Sequence, residues 1–594
     1  MGKFNEIIER EKQLIKVNTK RYNTIGNLRL IAMVVVIYTG YQAIEGSNRG
    51  IFSLGAVASI IAFALLFYKH SQIKEQLNYA KALIAINEKY LMRIQGDWVD
   101  FEDIGEEYKE DSHPYALDLD IVGEKSLFQM INTTGTWYGR EALIKTLLKP
   151  GMDIQEMMSK QQVIKELGNK LELCERIEYA SKKRLKVDRM PKKFLDYCMQ
   201  KDKDIIKSQY KTLVRIIPLI TLGIWGAAYV ANNQVLFIVG IVLATTAYSP
   251  SVIYFFKFNH LLGMTRELEC LLGNYAQILR ELENEQFHSK KLQALKQYLF
   301  DEKNSAAKGI KHLEKISSKA NLTQHPILSI PLNALWLWDC KRILELQEWQ
   351  KQYGEEVEKW LEAIGEIEAL MSLAVLLHID ETVHFPMFSD EKTHLQGKAL
   401  AHPLLKQNLR IANDVTMDHK IFVITGSNMS GKTTFLRTLG INLVLAYSGA
   451  PVCAAHLECS KLAIYTSMRI RDDLKEGIST FYAELMRIKQ IIDGAGEEEA
   501  MLFLIDEIFR GTNSIDRIEG AKSVLKSLKG KGVIGGITTH DLELCQLAEE
   551  ERIENYHFTE SYEEDKILFD YKLKEGPSTS TNAKYLMKMV GIEV

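Results

Sequence analysis

Four stretches of this chain carry no charged side chain, and they constrain its fold more than any other feature. They are Leu30–Ile44, Ile51–Tyr68, Ile216–Ala231 and Val235–Phe256. A helix needs about 20 apolar residues to cross hydrocarbon, so the first and third read as short and the fourth as ample. They come as two hairpins, joined by the brief connections Glu45–Gly50 and Asn232–Gln234. Tyr38, Tyr41, Tyr68, Trp225, Tyr229 and Tyr254 are candidate interfacial aromatics. Helices buried in a soluble core are the competing account, but paired charge-free segments with cationic flanks favour the bilayer. Lys3, Arg10, Lys12, Lys16, Lys20, Arg21 and Arg29 precede the first stretch, Lys69 and Lys74 follow the second, and Lys207, Lys211 and Arg215 precede the third. The connections hold only Arg49. The positive-inside rule then places both termini and the large middle segment in the cytoplasm of a multi-pass cell-membrane protein.

The rest of the composition is globular. The 594 residues carry 74 Lys plus Arg against 77 Asp plus Glu, a formal charge of −3, which argues against a globally basic nucleic-acid binder. Seven cysteines with no CxxC pair argue against a zinc site or disulfide framework and fit a reducing compartment.

Residues 69–212 read as mostly helical. They contain a basic cluster, Lys182, Lys183, Arg184, Lys186, Arg189, Lys192 and Lys193, close to the third apolar stretch. A solvated face explains it, as would anionic headgroups or nucleic-acid phosphates, with lipid the better of the two partners so near a span. Residues 258–380 repeat apolar positions every three and four residues, the pattern of helices that pack as a bundle or act as levers. Between them Lys290 to Lys319 is lysine-rich, most simply a solvated helix surface.

From about residue 400 the pattern becomes α/β. Ile421–Thr425 is an apolar strand that runs into Gly426-Ser427-Asn428-Met429-Ser430-Gly431-Lys432-Thr433, followed by Thr434 and a helix. Strand, GxxxxGK[ST] loop and helix in that order specify a phosphate-binding P-loop. The glycines turn backbone N–H groups toward phosphates, and the helix N-terminus adds positive potential. Lys432 is expected on the β- and γ-phosphates and Thr433 on Mg²⁺. A second buried-strand run, Met501–Ile505, ends in Asp506-Glu507: Asp506 suits Mg²⁺ and Glu507 suits the base that polarises an attacking water. A third strand, Val533–Thr538, ends in Thr539-His540, where a polar side chain can sense the γ-phosphate.

GSNMSGKTT (426–434), STFYAEL (479–485), LIDEIFRGTNSIDR (504–517) and TTHDLEL (538–544) resemble, in order and spacing, the ATPase of the MutS family. His402-Pro403 and Asn413-Asp414 fit the same pattern. The likeness is strong over 395–594, weaker over the helices before it, and recurs at 126–150, which looks like the start of the family's core domain. It implies a Mg²⁺-dependent ATPase that works as a homodimer with composite sites. Ser479 would act in trans on the partner's γ-phosphate, and Asn428 and Met429 would shape the nucleotide loop. Ser430 stands where the family often has Gly. Arg410 stands where an apolar or aromatic adenine contact is common. The family's mismatch reader with its Phe-x-Glu wedge, its connector domain and a C-terminal nuclease module are all expected to be absent, as in a small membrane-attached branch.

The reading is thus an α/β P-loop ATPase domain with a mostly parallel sheet, an all-α core and lever region, and four transmembrane helices. Its parts are a basic segment 1–29, hairpin 30–68, helical core 69–212, hairpin 213–256, lever region 257–385 and ATPase 386–594. The expected partners are ATP, Mg²⁺, membrane lipid, a second copy of the chain and DNA, without mismatch specificity. A transporter is disfavoured by the missing LSGGQ and by spans without charge, and a scaffold with a degenerate ATPase by the intact Lys432, Thr433, Asp506 and Glu507.

Overall fold

The computed structural model describes residues 1–151, 153–183, 192–199, 206, 210–253, 272–302, 305–324, 326–469, 480–495, 500–509, 513–530, 532–549, 552–563 and 566–578. The chain divides into two compact units, Met1–Asp100 and Phe101–Val594.

The first unit is an antiparallel helical hairpin, α1 (Gly2–Glu45) and α2 (Arg49–Gln95). The basic N-terminal segment and the first apolar stretch form one continuous helix. At 1.5 Å per residue each arm is about 65–70 Å long, roughly twice the thickness of a hydrocarbon layer. The two halves of the hairpin differ accordingly. In one half Phe4, Ile8, Leu77, Leu83, Ile86 and Tyr90 bury along the seam, with Phe4 stacked on Tyr90 at 5.0 Å. In the other, toward the turn, Ile37, Ile44, Ile51, Leu54 and Leu65 are exposed.

In the second unit, α3 (Trp137–Leu148), α4 (Ile154–Gly168) and α5 (Leu171–Lys182) precede a second hairpin, α6 (Lys211–Val230) and α7 (Gln234–Ile253). Then come α8 (Lys290–Leu299), α9 (Ala306–Ala320), α10 (Pro326–Trp336), α11 (Trp338–Tyr353) and α12 (Val357–Ile379). Helix α12 is the core of this bundle rather than a solvated arm. It is buried for most of its length and packs on α3 and α4. Glu368 on α12 accepts the Gly135 N–H at 2.9 Å and the Thr136 hydroxyl, while Thr136 caps α3 by accepting the Gly139 N–H at 3.0 Å. A Cβ on Gly139 would meet the Glu368 carboxylate at 2.6 Å, so the close approach requires glycine there. Segment 126–150 is therefore built against a helix more than 200 residues away, which helical periodicity alone does not reveal. The expected run over 336–378 is broken at Leu337, which has φ 46°, and again at the 3₁₀ turn Gly354–Glu356.

Among the described residues, three helices are long and apolar enough to cross a membrane: α1, α2 and α6. Within α7, Gln234–Thr246 is apolar but shorter than that requirement, and Tyr254–Phe256 of the fourth stretch lie outside the described residues. Helices α1 and α6 extend beyond their charge-free runs.

The strands among the described residues follow: β1 (Met387–Phe388), β2 (Leu395–Leu400), β3 (Asn413–Thr416), β4 (Ile421–Thr425), β5 (His456–Cys459), β6 (Ala463–Ser467), β7 (Met501–Asp506), β8 (Val533–Thr539), β9 (Ile553–His557), β10 (Glu560–Glu563), β11 (Lys566–Phe569) and β12 (Lys574–Glu575). The main sheet has the order β12-β9-β4-β8-β7-β6 and is parallel except at β12. Helices α13 (Lys432–Tyr447), α14 (Thr480–Gly494) and α15 (Ser514–Ser527) accompany it. Strands β4, β7 and β8 are buried at every residue, as expected of a parallel sheet covered on both faces. A smaller sheet, β1-β5-β2-β3, precedes it. The bundle is joined to the main sheet at Asp118, which accepts the Thr466 hydroxyl at 2.7 Å and the Arg469 N–H at 2.9 Å.

Candidate phosphate-binding site

The site forms where the carboxyl ends of β4, β7 and β8 meet the N-terminus of α13, the place where open parallel sheets bind ligands. Register fixes the neighbours, since Thr425 lies beside Thr539 and Asp506 beside Thr538. The loop after β4 curls because Gly426 (φ 148°), Met429 (φ 70°) and Gly431 (φ 107°) take positive φ. A Cβ on Gly426 would meet the Phe558 carbonyl at 2.8 Å. Lys432 opens α13, is 4% exposed, and donates to the carbonyls of Gly426 (2.7 Å) and Ser427 (2.9 Å). Thr434 begins the same first turn. Met429, at the loop tip, is 85% exposed.

Thr433 donates its hydroxyl to Asp506 Oδ2 at 2.8 Å. Thr538 donates to the other oxygen, Asp506 Oδ1, at 2.6 Å, and accepts the Glu507 N–H at 2.9 Å. One threonine thus holds both acids in register. Glu507 takes φ 50°, a left-handed conformation that an ordinary residue adopts only when its surroundings enforce it. His540 Nε2 lies 2.9 Å from Glu507 Oε1 and 3.0 Å from Asn428 Oδ1. The structure thereby joins Asn428, Glu507 and His540, which sequence reading had placed on separate motifs. Ser479 lies outside the described residues.

Several supporting contacts were not read from sequence. Arg517 on α15 grips Asp541 through two bonds at 2.7 and 2.8 Å, fastening the residue after His540. That pairing raises the Arg517 guanidinium above its usual range, chiefly through the Asp541 hydrogen bond. Buried Glu484 on α14 accepts the Phe509 N–H, tying STFYAEL to the loop after Glu507. Ser427 donates to Glu560 on β10 at 2.8 Å. All of these except Glu560 lie inside the quoted motifs, so the signal was present, but their pairing was not. Arg410 bonds Asp380 and donates to the carbonyls of Leu405 (2.7 Å) and Pro403 (2.8 Å), which explains the residue as a clamp on its own loop. His402 is fully enclosed. Burial, with the charges of Arg437 and Arg410 adding to it, depresses its imidazole to about 3.

The donor set fits Mg²⁺ on a nucleotide. One hydroxyl and one carboxylate, Thr433 and Asp506, stand together, which suits an ion that takes few protein ligands and completes its shell with phosphate and water. Among the described residues no cluster of three or more His, Cys, Asp or Glu competes for a metal. Ser430 contributes a buried hydroxyl with no hydrogen-bond partner, a polar atom inside the loop that suits a polar ligand.

The family described as MutS domain V matches residues 422–593. The DNA mismatch repair protein MutS of Thermus aquaticus is 31% identical over 252 residues, covering 42% of this chain and 30% of that protein. MutS of Streptococcus thermophilus is 31% identical over 259 residues, with the same coverage. MutS of Aquifex pyrophilus is 26% identical over 515 residues, covering 80% of this chain and 59% of that protein. The chain spans less than two thirds of the length of these relatives, and the last match reaches well upstream of the P-loop.

Proposed function

From the chain's membership of the MutS family, carried by its domain V, we propose that it is a membrane-anchored ATPase that binds ATP with Mg²⁺ and hydrolyses it as a homodimer. The observation that supports this best is the chain of contacts Thr433–Asp506–Thr538–Glu507–His540 across the ends of three strands.

Each residue has a physical task in this reading. The P-loop N–H groups and Lys432 bind the phosphates. Thr433 and Asp506 would hold Mg²⁺, which when bound neutralises charge on the phosphate oxygens. Glu507 orients and polarises a water, and its carboxylate is aimed by His540, itself positioned by Asn428 and by the Arg517–Asp541 pair behind it. Ser479 would complete the site from the partner subunit. The apolar hairpins anchor the protein in the cell membrane with both termini and the ATPase cytoplasmic, and the nucleotide state moves the helical bundle through the Asp118 junction. The output is the tethering of DNA at the membrane.

Glu507→Gln tests the enzyme. Phosphate release should fall at least ~100-fold, as for loss of a positioned base, while ATP binding persists. Equal background release by both proteins would leave a nucleotide-independent scaffold. Binding of the solubilised protein to duplex and branched DNA should weaken steeply with salt, and no binding at low salt would remove the DNA reading.

A further inference from the structure

Residues 320–338 contain no Asp, Glu, Lys or Arg, but Asn321, Thr323, Gln324, Ser329 and Asn333 interrupt the apolar run. Their helix, α10, covers 11 residues, about 16 Å at 1.5 Å per residue and only half of a hydrocarbon layer. Both ends of the segment return to one place. The Trp338 indole donates to the Lys319 carbonyl at 2.9 Å. Ala320 and Leu337 sit in one buried cluster with Val214, in the first turn of α6. The chain therefore leaves the base of the second apolar hairpin and comes back to it. Between those points α10 packs along α7. Leu322, Leu328, Ile330 and Trp336 nonetheless remain 42–59% exposed.

We propose that residues 320–324 and α10 form a monotopic membrane element, seated in the cytoplasmic leaflet beside α6 and α7, with Leu328 and Ile330 among the acyl chains and Trp336 at the headgroup boundary. The occupant of this face is lipid because the face continues the equally exposed apolar surface of the hairpin it packs on. An element that starts and ends at the base of a span can enter one leaflet but not cross. Trp336 and Trp338 stand at its end, as at membrane interfaces, and Lys315, Lys319 and Lys341 flank it in sequence, as basic residues flank membrane-embedded segments. This rests on the membrane reading above and adds a contact that tilts or depth-locks α11 and, through it, the bundle.

The test uses full-length protein in phosphatidylcholine–phosphatidylglycerol vesicles. Single cysteines are introduced as Ile330→Cys and, as a second variant on the same element, Leu328→Cys. Leu219→Cys on α6 reports the hairpin and Ile515→Cys on α15 the aqueous domain. Labelling of the parent chain is subtracted. Each variant carries a fluorophore and is quenched by lipids bearing nitroxides at shallow or deep acyl positions. Positions 330 and 328 should be quenched severalfold more than 515, and more by the shallow nitroxide than the deep one. Quenching at 219 with 330 and 328 behaving like 515 would overturn this inference alone. Quenching at 330 strongest from the deep nitroxide would overturn the single-leaflet placement. If 219 also behaves like 515, the membrane reading falls and takes this element with it.

Discussion

Strand β4 and residues 216–253 of the hairpin α6–α7 are both rich in apolar residues and free of charge, yet they end in opposite surroundings. Ile421, Phe422, Val423 and Ile424 are wholly buried, while Leu219, Val230 and Val235 are 69%, 86% and 68% exposed. A five-residue strand saturates its backbone bonds with its neighbours and is covered by helices on both faces. A 20-residue helix saturates its own backbone and needs no protein around it, only a solvent as apolar as itself. The difference teaches that apolarity sets what a segment avoids, and hydrogen-bonding geometry sets whether it must have other protein segments around it.

Substitutions on the two sides should separate them. Ile424→Ala removes buried volume and should cost about 2–5 kcal/mol in denaturant unfolding of the P-loop domain. A cost near zero would mean that β4 is not covered as described. Thr538→Val leaves a carboxylate oxygen of Asp506 without its donor. It should cost about 1–3 kcal/mol and slow phosphate release more than it weakens ATP binding; unchanged turnover would remove Thr538 from the site.

His402 offers a pH version of the same comparison. Its imidazole binds a proton near 6.5 when unfolded but only near about 3 when folded, so the unfolded chain holds more protons between those values. Stability from its burial is present above pH 6.5 and is lost as pH falls through that window, by roughly 1 kcal/mol at pH 5.5. His402→Gln should flatten that part of the profile, measured as unfolding free energy at pH 7 and 5.5. The smallest effect is expected at Leu219→Ala, within about 0.5 kcal/mol, as for a side chain that no protein covers. A loss comparable with Ile424→Ala would show that the hairpin is packed within protein.

Much of the site was legible because its chemistry is local. Gly426 to Thr433 lie within one loop, and Asp506-Glu507 and Thr539-His540 each end an apolar run. What was not legible was pairing. That one threonine, Thr538, holds both acids follows from β7 and β8 being neighbours in register. That His540 meets both Asn428 and Glu507 needs β4, β8 and β7 side by side. In the bundle, Glu368 belongs with Thr136 across more than 200 residues, and no periodicity carries that distance. Helix α10 escaped for another reason: polar residues such as Asn321, Gln324 and Asn333 break up its apolar run, and only the return of its ends to the base of α6 gives it meaning.

By itself the sequence determined the P-loop, the order along the chain of the strands that serve it, the motifs that resemble the MutS ATPase, and the charge-free segments, because each depends on residues close together in the chain. Only the tertiary structure decided which strand ends face each other, which helix becomes the core of the bundle, and which apolar surfaces stay uncovered. Those depend on strand register and on helix faces meeting, and the energy of such contacts exists only once distant segments are brought within a few ångströms.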